Sequence, residues 1–171
     1  MKRIRKDRAF AIRAKSLGTL GELFAMKALV DSGFSEIRNL NDSKRNFPYA
    51  DLFAVRERRM VISVKCRNRY QRDGALNSRY KLGARAYEHA HAAENALDAV
   101  AYWMAIQFDR ETYSVYLGSL EQLNGKMAIP MSPEYLDDYT RLVCDANHFL
   151  DFEPYLNRYD EDMAPVDLDT Q

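Results

Sequence analysis

The chain has 171 residues, of which 47% are hydrophobic and 29% are charged, and its formal net charge is zero. This composition is typical of a globular protein and excludes a disordered chain, and no apolar run approaches the roughly 20 residues that a membrane helix needs. We expect a single domain at residues 1–150, followed by a loosely ordered acidic tail at residues 151–171, which contains seven acids and one arginine.

The zero net charge hides a strong asymmetry along the chain. Residues 1–90 contain 21 of the 25 Lys and Arg but 9 of the 25 acids, a balance of +12, so the remaining residues have a balance of −12. Such a separation indicates a surface that binds a polyanion. The alternative is that the two halves neutralise each other across the fold.

The cysteines and the start of the chain predict a cytoplasmic protein. Cys66 and Cys144 lack the spacing of a metal site and indicate a reducing compartment, and we expect both to be inert packing residues. The basic residues 1–6 are not followed by an apolar core and a cleavage site, so we expect no secretory signal.

A helix is predicted at residues 8–32. Its apolar positions recur at helical spacing and include Leu17, Leu20, Phe24 and Ala28. Glu22 lies beside Gly21 on this mostly apolar helix, and small residues allow another segment or a ligand to approach closely. Glu22 is therefore a candidate site residue, and Gly33 is expected to end the helix.

A short strand is predicted at residues 34–40 and a polar loop at 41–46. The apolar runs 49–55 and 60–65 flank four charged residues and predict a β-hairpin. Because side chains alternate along a strand, Asp51 shares a face with Phe53, and Lys65 shares a face with Ser63 and Val61. A carboxylate and an ammonium in apolar surroundings are costly unless they pair, bind a metal or meet a substrate. Asp51 and Lys65 are candidate site residues, although a structural ion pair produces the same pattern.

The segment after Lys65 is rich in cationic residues with interspersed tyrosines. Such side chains suit phosphate contacts and base stacking, although a solvated loop has a similar composition. We therefore predict nucleic-acid binding by Arg67, Arg69, Tyr70, Arg72, Arg79, Tyr80, Lys81 and Arg85.

The second half of the chain predicts a helix, two strands and a last helix. The first of these helices, residues 82–97, has an apolar stripe formed by Leu82, Ala86, Ala90, Ala93 and Leu97. The apolar run 99–108 suits the centre of a sheet, and the alternating run 112–117 suits an edge. Ser132 and Pro133 are typical of a helix start, and that helix is expected to reach residue 146. The prediction is a single α/β domain with the order α-β-β-β-α-β-β-α.

Residues 17–117 resemble the PD-(D/E)xK nuclease superfamily, whose restriction-endonuclease-like fold is a mixed central β-sheet flanked by helices. GTLGE at 18–22 places Glu22 at the acid of the first helix, PYAD at 48–51 supplies Asp51, and SVK at 63–65 supplies Lys65. The departure from the family pattern is Ser63, which stands in place of the usual second acid.

The resemblance implies metal-dependent hydrolysis of a phosphodiester bond. Asp51 and Glu22 would hold Mg²⁺ or Mn²⁺ together with the backbone carbonyl of Val64. Lys65 would orient the attacking water and offset the developing charge.

Three explanations of Ser63 remain open. The first is that the missing acid comes from the following helix, with Glu88 as the first candidate and Glu94 as the second. The second is that Glu22 and Asp51 are sufficient to bind the metal ion. The third is that the protein has lost catalytic activity.

The predicted function is a Mg²⁺-dependent nuclease, a hydrolase that acts preferentially on DNA, with RNA not excluded. The resemblance also allows a homodimer. The first alternative, favoured by Ser63, is a catalytically inactive nucleic-acid-binding module. The second is a protein-interaction domain in which Asp51 and Lys65 form a buried ion pair.

Overall fold

The computed structural model describes residues 18–43 and 47–148. The first helix, α1, covers residues 18–31, and the chain then turns at Gly33, whose φ of 82° lies in the left-handed region that glycine tolerates. The elements that follow in the first half are β1 (Ser35–Asn39), α2 (Leu40–Ser43), β2 (Leu52–Val55) and β3 (Arg59–Asn68).

The second half contributes the remaining strands and the helix that crosses the sheet. These elements are β4 (Arg79–Lys81), α3 (Ala86–Leu97), β5 (Val100–Phe108), β6 (Thr112–Ser119), β7 (Ala128–Pro130), α4 (Pro133–Leu136) and β8 (Thr140–Asn147). A 3-10 turn at Glu121–Leu123 lies between β6 and β7.

Six strands form one mixed sheet in the order β1-β2-β3-β5-β6-β8. β2 and β3 form the predicted hairpin, with Leu52 opposite Ile62 and Val55 opposite Arg59. β3 and β5 are parallel, and α3 makes the crossover that such a pair requires. The other neighbouring strands are antiparallel, and β4 and β7 form a separate two-stranded sheet.

The main sheet is covered on both faces. On one face, α3 and the β4–β7 sheet pack against Phe53, Val61 and Trp103. On the other face, α1 packs against a set that includes Ile62 and Ile106. Because side chains alternate along β3, Lys65 belongs to the α3 side and its neighbour Cys66 to the α1 side.

Several predicted elements differ from the structure. The helix expected at residues 132–146 ends at Leu136, and the segment after it forms β8, which pairs with β6. Pairing with a distant strand outweighs a local helix signal. Consequently β6 lies inside the sheet instead of at its edge.

Smaller differences concern loops, helix ends and one cysteine. The predicted polar loop includes the one-turn helix α2, and α3 begins at Ala86 instead of residue 82. β4 and β7 were not predicted. Cys66 is buried as expected, but Cys144 is exposed and is not a packing residue.

Some predictions fall on other parts of the chain. The expected start of the first helix at residue 8 and the acidic tail at 151–171 lie outside the described residues. None of the described helices combines the length and hydropathy that a membrane span requires.

Candidate active site

Asp51 lies at the end of the hairpin, immediately before β2. Its backbone N–H donates to the Ile62 carbonyl at 2.9 Å, and its Oδ2 accepts the backbone N–H of Val64 at 2.8 Å. The carboxylate thus takes the place of a backbone carbonyl opposite β3. Because the N–H and C=O of one strand residue point to the same edge, the Val64 carbonyl also faces this side.

Glu22 reaches Asp51 from the α1 side of the sheet. Gly21 allows α1 to lie close to β3, since a Cβ on Gly21 would be only 2.5 Å from the Cβ of Cys66. Asn41 Nδ2 lies 3.4 Å from Glu22 Oε1 and 3.4 Å from Asp51 Oδ1. This amide therefore bridges the two carboxylates.

A second asparagine supports the same arrangement. Asn39 Nδ2 donates to Glu22 Oε2 at 3.2 Å, and Asn39 Oδ1 accepts the backbone N–H of Asn41 at 2.9 Å. β1 pairs with β2 so that Asn39 lies opposite Leu52, the residue after Asp51. Neither asparagine was predicted as a site residue. The sequence feature that could have identified them is a pair of asparagines two positions apart at the end of a predicted strand.

Lys65 reaches the region from the α3 side. The Lys65 and Asp51 charges favour each other's ionised forms, but among the described residues these two side chains form no ion pair. Glu22, Asp51 and Lys65 are all partly exposed. Asp51 is thus the common neighbour of an acid on one side and a cation on the other, and all three residues keep some exposure to solvent.

The surroundings disfavour the charged form of each group. Burial raises the pKa of Glu22, and the Asp51 charge raises it further, while the two asparagines act against these effects. Burial also raises the pKa of Asp51, against the Val64 N–H and the Lys65 charge. For Lys65, burial lowers the pKa, and the Asp51 charge opposes this. Perturbed ionisable groups in one accessible place are typical of functional sites.

Ser63 lies inside the core. Its side chain is 1% exposed, and it is paired in register with Trp103 of β5. The position at which the resemblance predicts a second acid therefore supplies no carboxylate in this protein.

The two acids considered as replacements both lie on α3. Glu88 pairs with Arg85, its side chain is 62% exposed, and this hydrogen bond lowers the Glu88 pKa. The geometry does not support a role for Glu88 at Asp51. Glu94 is partly buried, and its charge adds to the effect of burial in raising the pKa of Tyr49.

The oxygen atoms near Asp51 are the donors that could bind a metal ion. Within residues 18–43 and 47–148, no group of three or more His, Cys, Asp or Glu is arranged to hold a metal ion. The available donors are the carboxylates of Glu22 and Asp51 and the carbonyl of Val64. This set fits Mg²⁺, which prefers oxygen ligands and commonly keeps several waters.

The predicted nucleic-acid-binding residues divide into surface and buried groups. The exposed residues are Tyr70, Arg72, Arg79, Lys81 and Arg85, of which Arg85 pairs with Glu88. Arg67 and Arg69 are partly exposed, and Arg69 lies 3.9 Å from Asp109. Tyr80, the central residue of β4, is fully buried in the core, so its prediction as a base-stacking residue is wrong.

No family model and no curated protein matches this sequence. Among solved structures, the chain is similar to Hjc, a Holliday junction resolvase from the archaeal hyperthermophile Archaeoglobus fulgidus. The similarity has a TM-score of 0.54 and a sequence identity of 18%, and it covers 73% of this chain and 96% of that chain. The predicted fold class is confirmed: the protein has a restriction-endonuclease-like fold, a mixed central sheet flanked by helices.

Proposed function

We propose that this protein is a metal-dependent nuclease that hydrolyses phosphodiester bonds of DNA. The observation that supports this most strongly is the position of Asp51, which has Glu22 on one side and Lys65 on the other. These residues come from three separate segments of the chain. The similarity in fold to a Holliday junction resolvase supports DNA, and branched DNA in particular, as the substrate.

Glu22, Asp51 and the carbonyl of Val64 would hold Mg²⁺ or Mn²⁺. When bound, such a cation supplies Lewis-acid stabilisation of negative charge on the phosphate. Both carboxylates have raised pKa values because burial disfavours their charged forms, and a cation offsets that effect. Asn39 and Asn41 hold the two carboxylates in place by donating hydrogen bonds to them.

Lys65 would act on the water and the phosphate. Its ammonium is partly buried, which lowers its pKa, and a charge in such surroundings interacts more strongly with a phosphate than a fully solvated one does. We infer that Lys65 orients the attacking water and offsets the negative charge that develops on the phosphate.

Ser63 supports one alternative, a catalytically inactive module that binds nucleic acid. The buried hydroxyl leaves the donor set one negative charge short of the family pattern. This module would share the exposed cations of the nuclease, so binding alone does not distinguish the two functions.

Cleavage assays with the full chain test the proposal. With Mg²⁺ or Mn²⁺, the protein should cut plasmid, linear duplex or four-way-junction DNA, with structured RNA as a parallel substrate. Lys65→Ala should reduce the cleavage rate by about 100-fold or more, as expected for loss of an electrostatic catalytic group, while junction binding stays within about twofold of wild type. Lys27→Ala is the matched control, because this exposed lysine pairs with Asp31 on α1.

The other outcomes separate the alternatives. Binding with a steep salt dependence but without cleavage of any substrate would contradict the nuclease proposal and favour the inactive module. No binding at low salt would contradict both and leave the protein-interaction domain. A homodimer, which would place two sites on two strands, is tested by light scattering with and without junction DNA.

A further inference from the structure

A second surface feature lies apart from Glu22, Asp51 and Lys65. Next to the β4–β7 sheet there is an open cleft of about 780 Å³, and none of those three residues lines it. Its lining includes three cations, one acid, one aromatic ring and one exposed methionine, namely Arg79, Lys81, Lys126, Glu134, Tyr135 and Met127.

The β4–β7 pairing holds two of these cations in place. Tyr80 lies opposite Ile129, and both side chains are fully buried in the core. Because side chains alternate along a strand, Arg79 and Lys81 point away from the core on either side of Tyr80. Both are exposed. The buried tyrosine therefore anchors a short strand that presents two cations at a fixed spacing.

The segment that leads into β7 combines positive charge with apolar surface. Lys126 Nζ lies 4.9 Å from the centroid of the Tyr135 ring. The Tyr87 hydroxyl donates to the Lys126 carbonyl at 2.7 Å, which fixes the backbone just before β7. Met127 is 49% exposed, so it adds apolar surface to the lining of the cleft.

We propose that this cleft binds a few nucleotides of a single, unpaired DNA strand. Three cations against one acid complement phosphates, and Met127 offers an exposed apolar surface on which a base packs, next to the Tyr135 ring over which Lys126 lies. The volume lies in the roughly 300–1,000 Å³ range of small-ligand sites, which suits a few nucleotides and is too small to enclose a duplex. The inference rests on DNA as the proposed ligand but not on cleavage.

Binding measurements on the full chain in EDTA test the inference without cleavage. Fluorescence anisotropy would compare a labelled duplex that has a single-stranded overhang of about 10 nucleotides, within the range of known single-strand sites, with the same duplex made blunt. The cleft variant is Lys81→Ala with Lys126→Ala. The control variant, Arg58→Ala with Arg110→Ala, removes the same charge from exposed positions in two hairpin turns outside the cleft.

The cleft variant should weaken binding of the overhang DNA by about tenfold and change binding of the blunt duplex no more than the control does. For the overhang DNA, the slope of the logarithm of the binding constant against the logarithm of the salt concentration should decrease in magnitude by about 1.4. Two phosphate contacts are lost, and each single-strand contact contributes about 0.7. The inference would be overturned if the cleft variant lost the same affinity for both DNAs, or if it lost no more affinity for the overhang DNA than the control variant does.

Cross-linking gives a readout of position. Bromodeoxyuridine placed in the overhang should cross-link to Tyr135 or Met127, and cross-links found only elsewhere would contradict the inference. Carbodiimide cross-links from Lys81 or Lys126 to acids of residues 151–171 that persist with overhang DNA would also overturn it, because the tail would then occupy the cleft.

The two proposals fail in different ways. A cleft variant that binds overhang DNA like wild type refutes only the cleft, whatever the cleavage rate. A wild-type protein that prefers overhang DNA but cuts nothing refutes only the nuclease proposal.

Discussion

Replacing Gly21 by alanine tests whether the close approach of α1 to β3 positions Glu22. A Cβ on Gly21 would lie 2.5 Å from the Cβ of Cys66 and 3.1 Å from its Sγ. The Cβ of Cys66 is attached directly to the backbone of a central strand and cannot rotate away. Ordinary carbon–carbon contacts are about 3.5 Å or longer, so α1 has to move about 1 Å from the sheet.

Two effects on stability oppose each other in this variant. Alanine is favoured over glycine inside a helix by about 1 kcal/mol, whereas overpacking typically costs about 1–3 kcal/mol. The expected result is a decrease of about 0–2 kcal/mol in the free energy of unfolding. The effect on activity is larger, because Glu22 moves with its neighbour and away from its 3.2 Å contact with Asn39. A displacement of about 1 Å at a catalytic site can reduce the rate about 100-fold.

Denaturant unfolding and single-turnover cleavage measure the two effects, and Gly18→Ala is the matched control. Gly18 lies one turn earlier in α1, and a Cβ there would meet nothing within 4 Å. Gly18→Ala should therefore raise stability by up to about 1 kcal/mol and leave the cleavage rate unchanged. If Gly21→Ala behaves in the same way as Gly18→Ala, the packing of α1 on Cys66 does not position Glu22 and the reasoning is refuted.

Two further predictions concern the carboxylates. Asp51→Ala removes the acceptor of the Val64 N–H and should lower the free energy of unfolding by about 1–3 kcal/mol. Asp51→Asn keeps an acceptor, so it should lose metal binding but little stability. Equal stability of the two variants would contradict this prediction. Because burial raises the pKa of Glu22 and of Asp51, both give up their protons at higher pH than ordinary acids. An NMR titration of the metal-free protein should therefore show both carboxyl groups ionising above the ordinary range of such acids, and Mn²⁺ binding measured by calorimetry should strengthen as they ionise. The same shifts favour the folded state at low pH, and that contribution is lost as the pH rises through the raised pKa values. Carboxyl groups that ionise at or below the ordinary range of such acids in the metal-free protein would contradict the effect of burial.

The hairpin was predictable because its signal is local. Two apolar runs flank four charged residues, and alternation along each run gave the face of Lys65 correctly. The exposure of Glu88 also follows from local periodicity, since it lies away from the buried stripe of α3.

Features that depend on distant pairing were not predictable in this way. Ser132 and Pro133 do start a helix, but β8 exists because it pairs with β6, and no local pattern encodes that partner. The role of Asn41 depends on α1 and the hairpin meeting at one point, and the burial of Tyr80 depends on its pairing with β7.

The geometry around Asp51 distinguishes a structural ion pair from a site for a cation and a phosphate. If Asp51 and Lys65 served only to stabilise the fold, direct pairing would offset the cost of burying both charges. Instead, the Asp51 carboxylate accepts hydrogen bonds from the Val64 N–H and from Asn41. A second acid, Glu22, lies beside it. Within the described chain, no ion pair joins Asp51 to Lys65. Bringing a second carboxylate next to a partly buried one adds repulsion that a structural pair does not need, and a bound cation removes that repulsion. The arrangement therefore favours the nuclease and the nucleic-acid module over the protein-interaction domain.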